Sequence, residues 1–138
     1  MGAVDSTFIE IVSERVETWI EGGHESLLRA RTACRRLAEN AEWPPEAQED
    51  LVLVVSELLM NAWTHSGPCR MSLEVSGDTA VVEIWDSDPH IPSPLSTSGA
   101  PASEDDSYGL GLVNTLSECL EFLPHQIGGK TARAIVVS

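Results

Sequence analysis

The alternation of apolar and polar residues predicts helices and strands in interleaved order. Val16–Ile20 alternates with a period of two, which is typical of an edge strand, and Gly22-Gly23 ends it. Two helices should follow, an amphipathic one over Glu25–Asn40 and, after Pro44-Pro45, a second from Glu46 to about Ser66. The remaining predicted elements are a hairpin closed by Gly77-Asp78, a helix and a last strand: Cys69–Val75, Ala80–Asp86, Tyr108 to about Glu121, and Thr131–Val137. This order indicates the α/β class, more closely α+β: a two-layer sandwich with helices on one face of a mixed sheet.

Two segments lack such a pattern. Residues 1–15 are expected to form an N-terminal extension, followed by a single domain over residues 16–138, a length that suits one hydrophobic core. Pro89–Asp106 is rich in proline, serine, glycine and alanine. A loop of this length inside a domain is usually functional, so we expect a lid over a site.

The composition of the chain indicates which partners, cellular location and cysteine chemistry to expect. The chain has 22 acidic and 8 basic residues, a formal net charge of −14, so its surface should repel nucleic acid and anionic lipid and attract a basic protein. No apolar run approaches the roughly 20 residues of a membrane span, and the first residues do not resemble a signal peptide, so we expect a cytoplasmic protein. Its three cysteines are too far apart to suggest a disulfide framework or a zinc site.

Half of the basic residues lie on the first predicted helix: Arg29, Arg31, Arg35 and Arg36. They form either a solvated face or a contact with an acidic surface of a partner or of a second subunit. A homodimer is therefore compatible with the sequence, which does not decide between these alternatives.

The second predicted helix carries a polar pair on an otherwise apolar background. Glu57 and Asn61 are four residues apart, so they lie one turn apart on the same face. A carboxylate and an amide provide the oxygen ligands that Mg²⁺ prefers, and a carboxylate can also deprotonate an attacking hydroxyl. The alternative is a buried polar pair that hydrogen-bonds its neighbours.

Two further features carry possible chemistry. Asp86 ends the core-facing row of Val82 and Ile84, so its carboxylate needs a partner, either the exocyclic amine of a bound adenine or a backbone amide of the following turn. Gly109-Leu110-Gly111 begins a predicted helix, where glycines permit close approach of the backbone and free N–H groups attract phosphate.

These features occur in the order found in one superfamily. Glu57-Leu-Leu-Met-Asn61 resembles the N box of GHKL ATPases (gyrase, Hsp90, histidine kinases, MutL), Asp86 resembles the start of their first glycine box, and Gly109-Leu-Gly111 resembles the second. Gly129-Lys130-Thr131 resembles their closing motif. The resemblance covers nearly the whole chain and is strongest to the short anti-sigma-factor serine kinases and their actinobacterial relatives.

The resemblance implies a Bergerat ATP-binding fold and a role for each matching residue. Asn61 would ligate Mg²⁺ and Glu57 would act as the catalytic base. ATP would be held by Asp86 at the adenine amine, by Thr131 near the adenine, and by Gly109, Leu110 and Gly111 around the phosphates. The implied function is an ATP-dependent protein serine/threonine kinase that binds a sigma factor and phosphorylates a small anti-sigma-factor antagonist.

The chain departs from the family pattern in two places. Residues 87–90, which directly follow Asp86, include no glycine, and the predicted lid carries no lysine or arginine and contains Glu104-Asp105-Asp106. Acidic groups near phosphates weaken binding unless a metal ion is present. The alternative function is therefore a non-catalytic ATP-binding module that regulates by binding other proteins.

Overall fold

The computed structural model describes residues 13–91 and 107–138, which form five strands and three helices. The elements in chain order are β1 (Ser13–Ile20), α1 (Gly23–Asn40), α2 (Pro45–Ser66), β2 (Cys69–Ser76), β3 (Thr79–Asp86), α3 (Ser107–Leu116), β4 (Cys119–Pro124) and β5 (Lys130–Val137). Residues 1–12 of the predicted extension and residues 92–106 of the predicted lid lie outside the described residues.

The strands form one sheet in the order β1-β2-β3-β5-β4, with helices against one face, which confirms the predicted fold class. One detail needs correction: the four strand pairings are all antiparallel, whereas we expected a mixed sheet. Two helices, α1 and α2, connect β1 to β2. The second helix brings the chain back to the end of the sheet at which β1 ended, so β2 runs antiparallel to β1. Ile20, the last residue of β1, accordingly pairs with Cys69, the first residue of β2.

The core lies between the sheet and the first two helices. On β2 and β3 every second side chain is buried, as the period of two requires for strands with one covered face. Against them α2 presents Leu51, Val55, Leu58 and Leu59, all fully or almost fully buried. Because α2 contacts α1, α3 and the strands β2, β3 and β5, it is the central helix of the domain and fixes the position of any polar group that it carries.

The last predicted helix, Tyr108 to about Glu121, is wrong at its C-terminal end. The helix α3 ends at Leu116, and residues 119–124 form strand β4, which pairs with β5. The prediction failed because Leu112, Leu116 and Leu120 are spaced by four, which continues a helical pattern through the strand. The competing signal was the alternation of Leu120 and Phe122, both partly buried against the core.

Three of the four α1 arginines contact polar groups of this same chain. Arg29 forms an ion pair with Glu25, and Arg35 forms a bidentate pair with Glu49 of α2. Arg31 donates from Nε to the Oγ of buried Ser56 at 2.9 Å. Hydrogen bonding by Arg35 lowers the pKa of the Glu49 carboxyl. Much of the positive charge of α1 therefore holds α1 and α2 together.

Candidate functional site

Glu57 and Asn61 line the same pocket, as their spacing predicts. Both are half-buried on α2, and the pocket, about 200 Å³ in volume, is completed by the beginning of α3. Its other lining residues are Met60, Thr64, His65, Gly109 and Leu110. The site thus brings together four of the residues predicted from the sequence: Glu57, Asn61, Gly109 and Leu110.

Close packing of the two helices explains the glycine at position 109. A β carbon there would lie 2.5 Å from Oε2 of Glu57, closer than any real contact. Leu110 is buried and anchors α3 in the core, while a β carbon at Gly111 would meet nothing within 4 Å. Gly109 therefore permits close approach to the carboxylate, whereas Gly111 is not required by packing within the described residues.

Asp86 is buried at the end of β3 and is paired with a lysine. Its Oδ1 accepts hydrogen bonds from Nζ of Lys130 at 3.0 Å and from the N–H of Asp88 at 2.9 Å. Lys130 is the residue of β5 directly opposite Asp86, and its Nζ also donates to the carbonyl oxygen of Asp88 at 2.8 Å. The sequence correctly indicated that this carboxylate needs a partner, and its partners here are a backbone amide and an ammonium group.

Side chains replace glycines in shaping the turn after β3. Besides the Asp88 N–H bonded to Asp86, the N–H of His90 donates to Oδ1 of Asp88 at 3.0 Å. The His90 hydrogen bond is the main cause of a lowered pKa of the Asp88 carboxyl, and Lys130 is a lesser cause. Two successive carboxylates thus accept backbone hydrogen bonds, which stabilises a turn without glycine.

Gly129 fits β5 against this turn. It has a positive φ of 80°, and a β carbon would lie 2.3 Å from the carbonyl oxygen of Asp86. Only glycine tolerates both conditions at low cost. The backbone before Lys130 consequently lies directly against Asp86, which places the lysine side chain on the carboxylate.

Thr131 does not reach this cluster. It lies opposite Trp85 in the β3–β5 register, so its side chain is on the other face of the sheet from Asp86 and Lys130. There its hydroxyl is 2.6 Å from Nε2 of His125. The β5 residue beside Asp86 is Lys130, which was not among the predicted site residues. The alternation along β5 could have indicated it. Lys130 is on the same face as Ala132, Ala134 and Val136, which are buried, so a lysine at this position needs a partner.

Oxygen atoms dominate the chemistry that the pocket offers. Across residues 13–91 and 107–138 there is no group of three or more His, Cys, Asp or Glu side chains that could hold a metal ion. A cation bound by Asn61 would take further ligands from phosphate oxygens and water, which is the usual coordination of Mg²⁺. No helix in the same ranges is both long and apolar enough to cross a membrane.

Comparison with known families identifies the domain. The family model described as "Histidine kinase-like ATPase domain" matches residues 22–135, well over half of the chain. The chain belongs to this family. The match spans every site residue discussed above, from Glu57 to Thr131. Membership in a family of ATPase domains implies ATP binding, usually with Mg²⁺.

A solved structure supports the fold of this histidine kinase-like ATPase domain. A chain in the crystal structure of the SiaB–SiaC complex from Pseudomonas aeruginosa superposes with a TM-score of 0.61 at 11% sequence identity. The alignment covers 93% of this chain and 91% of that chain, so the two share nearly their entire fold. Among curated proteins, none is significantly similar in sequence.

The residues of this histidine kinase-like ATPase domain suit the phosphates and metal ion of Mg²⁺-ATP better than its adenine. Glu57 and Asn61 offer oxygen atoms in an open pocket beside Gly109, where a metal ion and phosphates can be held. At the other end, the side chains of Asp86 and Lys130 are only 3% and 4% exposed and are bonded to each other. The residues present therefore suit the phosphates and the metal, but offer no unpaired Asp86 Oδ1 to an adenine amine.

Proposed function

We propose that the domain is an ATP- and Mg²⁺-dependent protein serine/threonine kinase that acts as a cytoplasmic anti-sigma factor and phosphorylates a small antagonist protein. The observation that carries the proposal is the shared pocket of Glu57 and Asn61, with Gly109 directly against the Glu57 carboxylate. Few residues are needed for phosphoryl transfer, because the reaction depends mainly on positioning and charge neutralisation.

Each pocket residue has a chemical role in the proposal. Asn61 holds Mg²⁺ through its amide oxygen, together with ATP phosphates and water. Glu57 accepts the proton of the serine or threonine hydroxyl that attacks the γ-phosphorus. Gly109, Leu110 and Gly111 lie in the first half of α3, whose leading N–H groups have no partner within the helix and favour an anion.

The partner should be a protein. The net charge of −14 favours a basic surface, and the similar fold in Pseudomonas aeruginosa comes from a complex of two proteins, SiaB and SiaC. A sigma factor and a small antagonist are the partners that we propose, and a homodimer is compatible with the exposed edge strand β1. Charge attraction would speed association and make it sensitive to salt.

Binding and transfer can be tested separately with two variants. Asn61→Ala should lose Mg²⁺-dependent ATP binding in calorimetric titration, whereas Glu57→Gln should bind Mg²⁺-ATP and lose transfer of labelled phosphate to a co-purified partner. Asn114→Ala and Glu118→Gln are matched controls, because both residues are exposed and neither lines the pocket. Undiminished transfer by Glu57→Gln would eliminate this residue as the base.

A non-catalytic regulatory module is the second candidate. The observation that favours it is the Asp86–Lys130 pair, which occupies the carboxylate expected to hold the adenine. This candidate predicts that the wild-type protein transfers no phosphate to any partner that it binds. It is rejected if a bound partner becomes phosphorylated on serine or threonine and the Glu57→Gln variant does not support the reaction.

A further inference from the structure

The ammonium group of Lys130 lies against the carboxylate of Asp86, the group predicted to bind the adenine amine. Nζ donates to Oδ1 of Asp86 and to the carbonyl oxygen of Asp88, so it bridges both sides of the turn that follows β3. The N–H of Asp88 donates to the same Oδ1. One oxygen of the Asp86 carboxylate thus already accepts two hydrogen bonds, one of them from a cation, and the carboxylate side chain is only 3% exposed.

A nucleobase cannot displace this cation at low cost. The exocyclic amine of adenine is neutral, so its hydrogen bond to a carboxylate is weaker than that of an ammonium group. Removing Lys130 from Asp86 would leave a buried carboxylate without its cation, and this penalty exceeds the gain from one new hydrogen bond. The pair is also held in place by Gly129, whose backbone lies against the Asp86 carbonyl.

The phosphate end of the site does not depend on this pair. The pocket is lined by α2 and the start of α3, and neither Asp86 nor Lys130 is among its lining residues. A metal ion and a polyphosphate can therefore bind at Glu57 and Asn61 while the ion pair between Asp86 and Lys130 stays intact. Recognition of phosphate and recognition of the base are separable in this chain.

We propose that the domain binds Mg²⁺-nucleoside triphosphates through their phosphates without selecting the base, and that Lys130 is the residue responsible for the lost selectivity. This inference rests on the proposed binding of Mg²⁺-triphosphate at Glu57 and Asn61. It defines the ligand class more broadly than ATP: any purine or pyrimidine triphosphate is a ligand. Lys130 acts by occupying Asp86 and does not touch the reacting atoms.

The test is a calorimetric comparison of Mg²⁺-bound ATP, GTP, UTP and inorganic tripolyphosphate with the full chain. The wild-type protein should bind the three nucleotides with dissociation constants within about threefold of each other, a difference that corresponds to less than one hydrogen bond. Lys130→Met, which frees the carboxylate, should bind ATP about tenfold more tightly than UTP. Lys130→Arg keeps a cation beside Asp86 and should stay unselective.

The outcomes distinguish this inference from the proposed function. Wild-type binding of ATP about tenfold or more tighter than UTP would overturn the inference and leave ATP binding intact. Absence of binding by every triphosphate would overturn the proposed function, and the inference with it. If Lys130→Met does not fold, which circular dichroism reveals, the wild-type series alone still decides, because base selectivity in that protein contradicts the inference.

Discussion

Gly109 faces the carboxylate of Glu57 so closely that a β carbon at position 109 would lie 2.5 Å from Oε2. The two residues come from different helices, so the contact brings the start of α3 against the middle of α2. It also places the carboxylate at the wall of the pocket that Asn61 lines. The observed position of this carboxylate therefore depends on the absence of a side chain at position 109.

Adding that side chain should move Glu57 without unfolding the domain. In Gly109→Ala the flexible end of Glu57 can turn away, so we expect a folded protein whose phosphoryl transfer falls by about tenfold or more, as for other misplaced catalytic groups. Transfer of labelled phosphate and thermal unfolding measure the two effects. In Gly111→Ala the new methyl group meets nothing within 4 Å among the described residues, and helix propensity should raise stability by about 0.5–1 kcal/mol. Equal transfer rates for wild type and Gly109→Ala would contradict the prediction.

The buried ion pair of Asp86 and Lys130 should be costly to break on one side only. Lys130→Met leaves a buried carboxylate without its cation, so we expect the free energy of unfolding to fall by about 3–5 kcal/mol. The double variant Asp86→Asn/Lys130→Met removes both charges and should recover part of this loss. Urea unfolding of the three proteins provides the comparison, and a loss below about 1 kcal/mol in the single variant would show that the pair is not buried as described.

Ser56 should couple α1 to α2 through one hydroxyl group. Its Oγ accepts from Nε of Arg31 at 2.9 Å and donates to the carbonyl oxygen of Val52 at 2.7 Å. Ser56→Ala should lower stability by about 1 kcal/mol, because the Arg31 guanidinium loses a partner in a partly buried position. Ser66→Ala is the matched control: within residues 13–91 and 107–138 its hydroxyl donates to the carbonyl oxygen of Ala62 one turn earlier and forms no hydrogen bond with an arginine. Equal losses in the two variants would contradict a role for Arg31.

Two buried thiols should make the domain less stable at alkaline pH. Burial raises the pKa of Cys34 to about 12 and that of Cys69 to about 11, from an ordinary value of 9.0. The pKa of each thiol is higher in the folded protein than in the unfolded chain. The stability that the two protonated thiols contribute is therefore fully present below about pH 9, and it is lost as the pH rises from there toward the folded pKa values. Unfolding free energies in urea at about pH 8 and about pH 10 should differ more for wild type than for Cys34→Ala/Cys69→Ala, by up to roughly 1.4 kcal/mol per thiol per pH unit. An identical pH slope in the two proteins would be the contrary result.

Local relationships were predictable from the sequence, and long-range ones were not. The strands β2 and β3 alternate cleanly, so the pattern placed them within one residue of their observed bounds. Glu57 and Asn61 share a face because of helix geometry alone, and they do line one pocket. The same reasoning could not distinguish β4 from a longer helix, because Leu112, Leu116 and Leu120 fit a helical period.

The partner of Asp86 illustrates the limit most clearly. Asp86 and Lys130 are separated by 44 positions and meet only through the register of β3 and β5. A shift of that register by one residue would bring Thr131 opposite Asp86 instead and reverse the face of every β5 side chain. Nothing within either strand sets this alignment. The sequence alone therefore could not show that the carboxylate was already engaged by a lysine.

The strand order also has a consequence for folding during synthesis. β5 lies between β3 and β4, although it is made after both. Until the ribosome has released Lys130–Val137, β4 lacks the strand with which it pairs, and β3 has an unpaired edge. An unpaired edge invites pairing with other chains, and a nascent domain that waits for its last strand exposes that edge longest. The sheet of this protein can therefore close only after β5, the strand that lies between β3 and β4, has been synthesised.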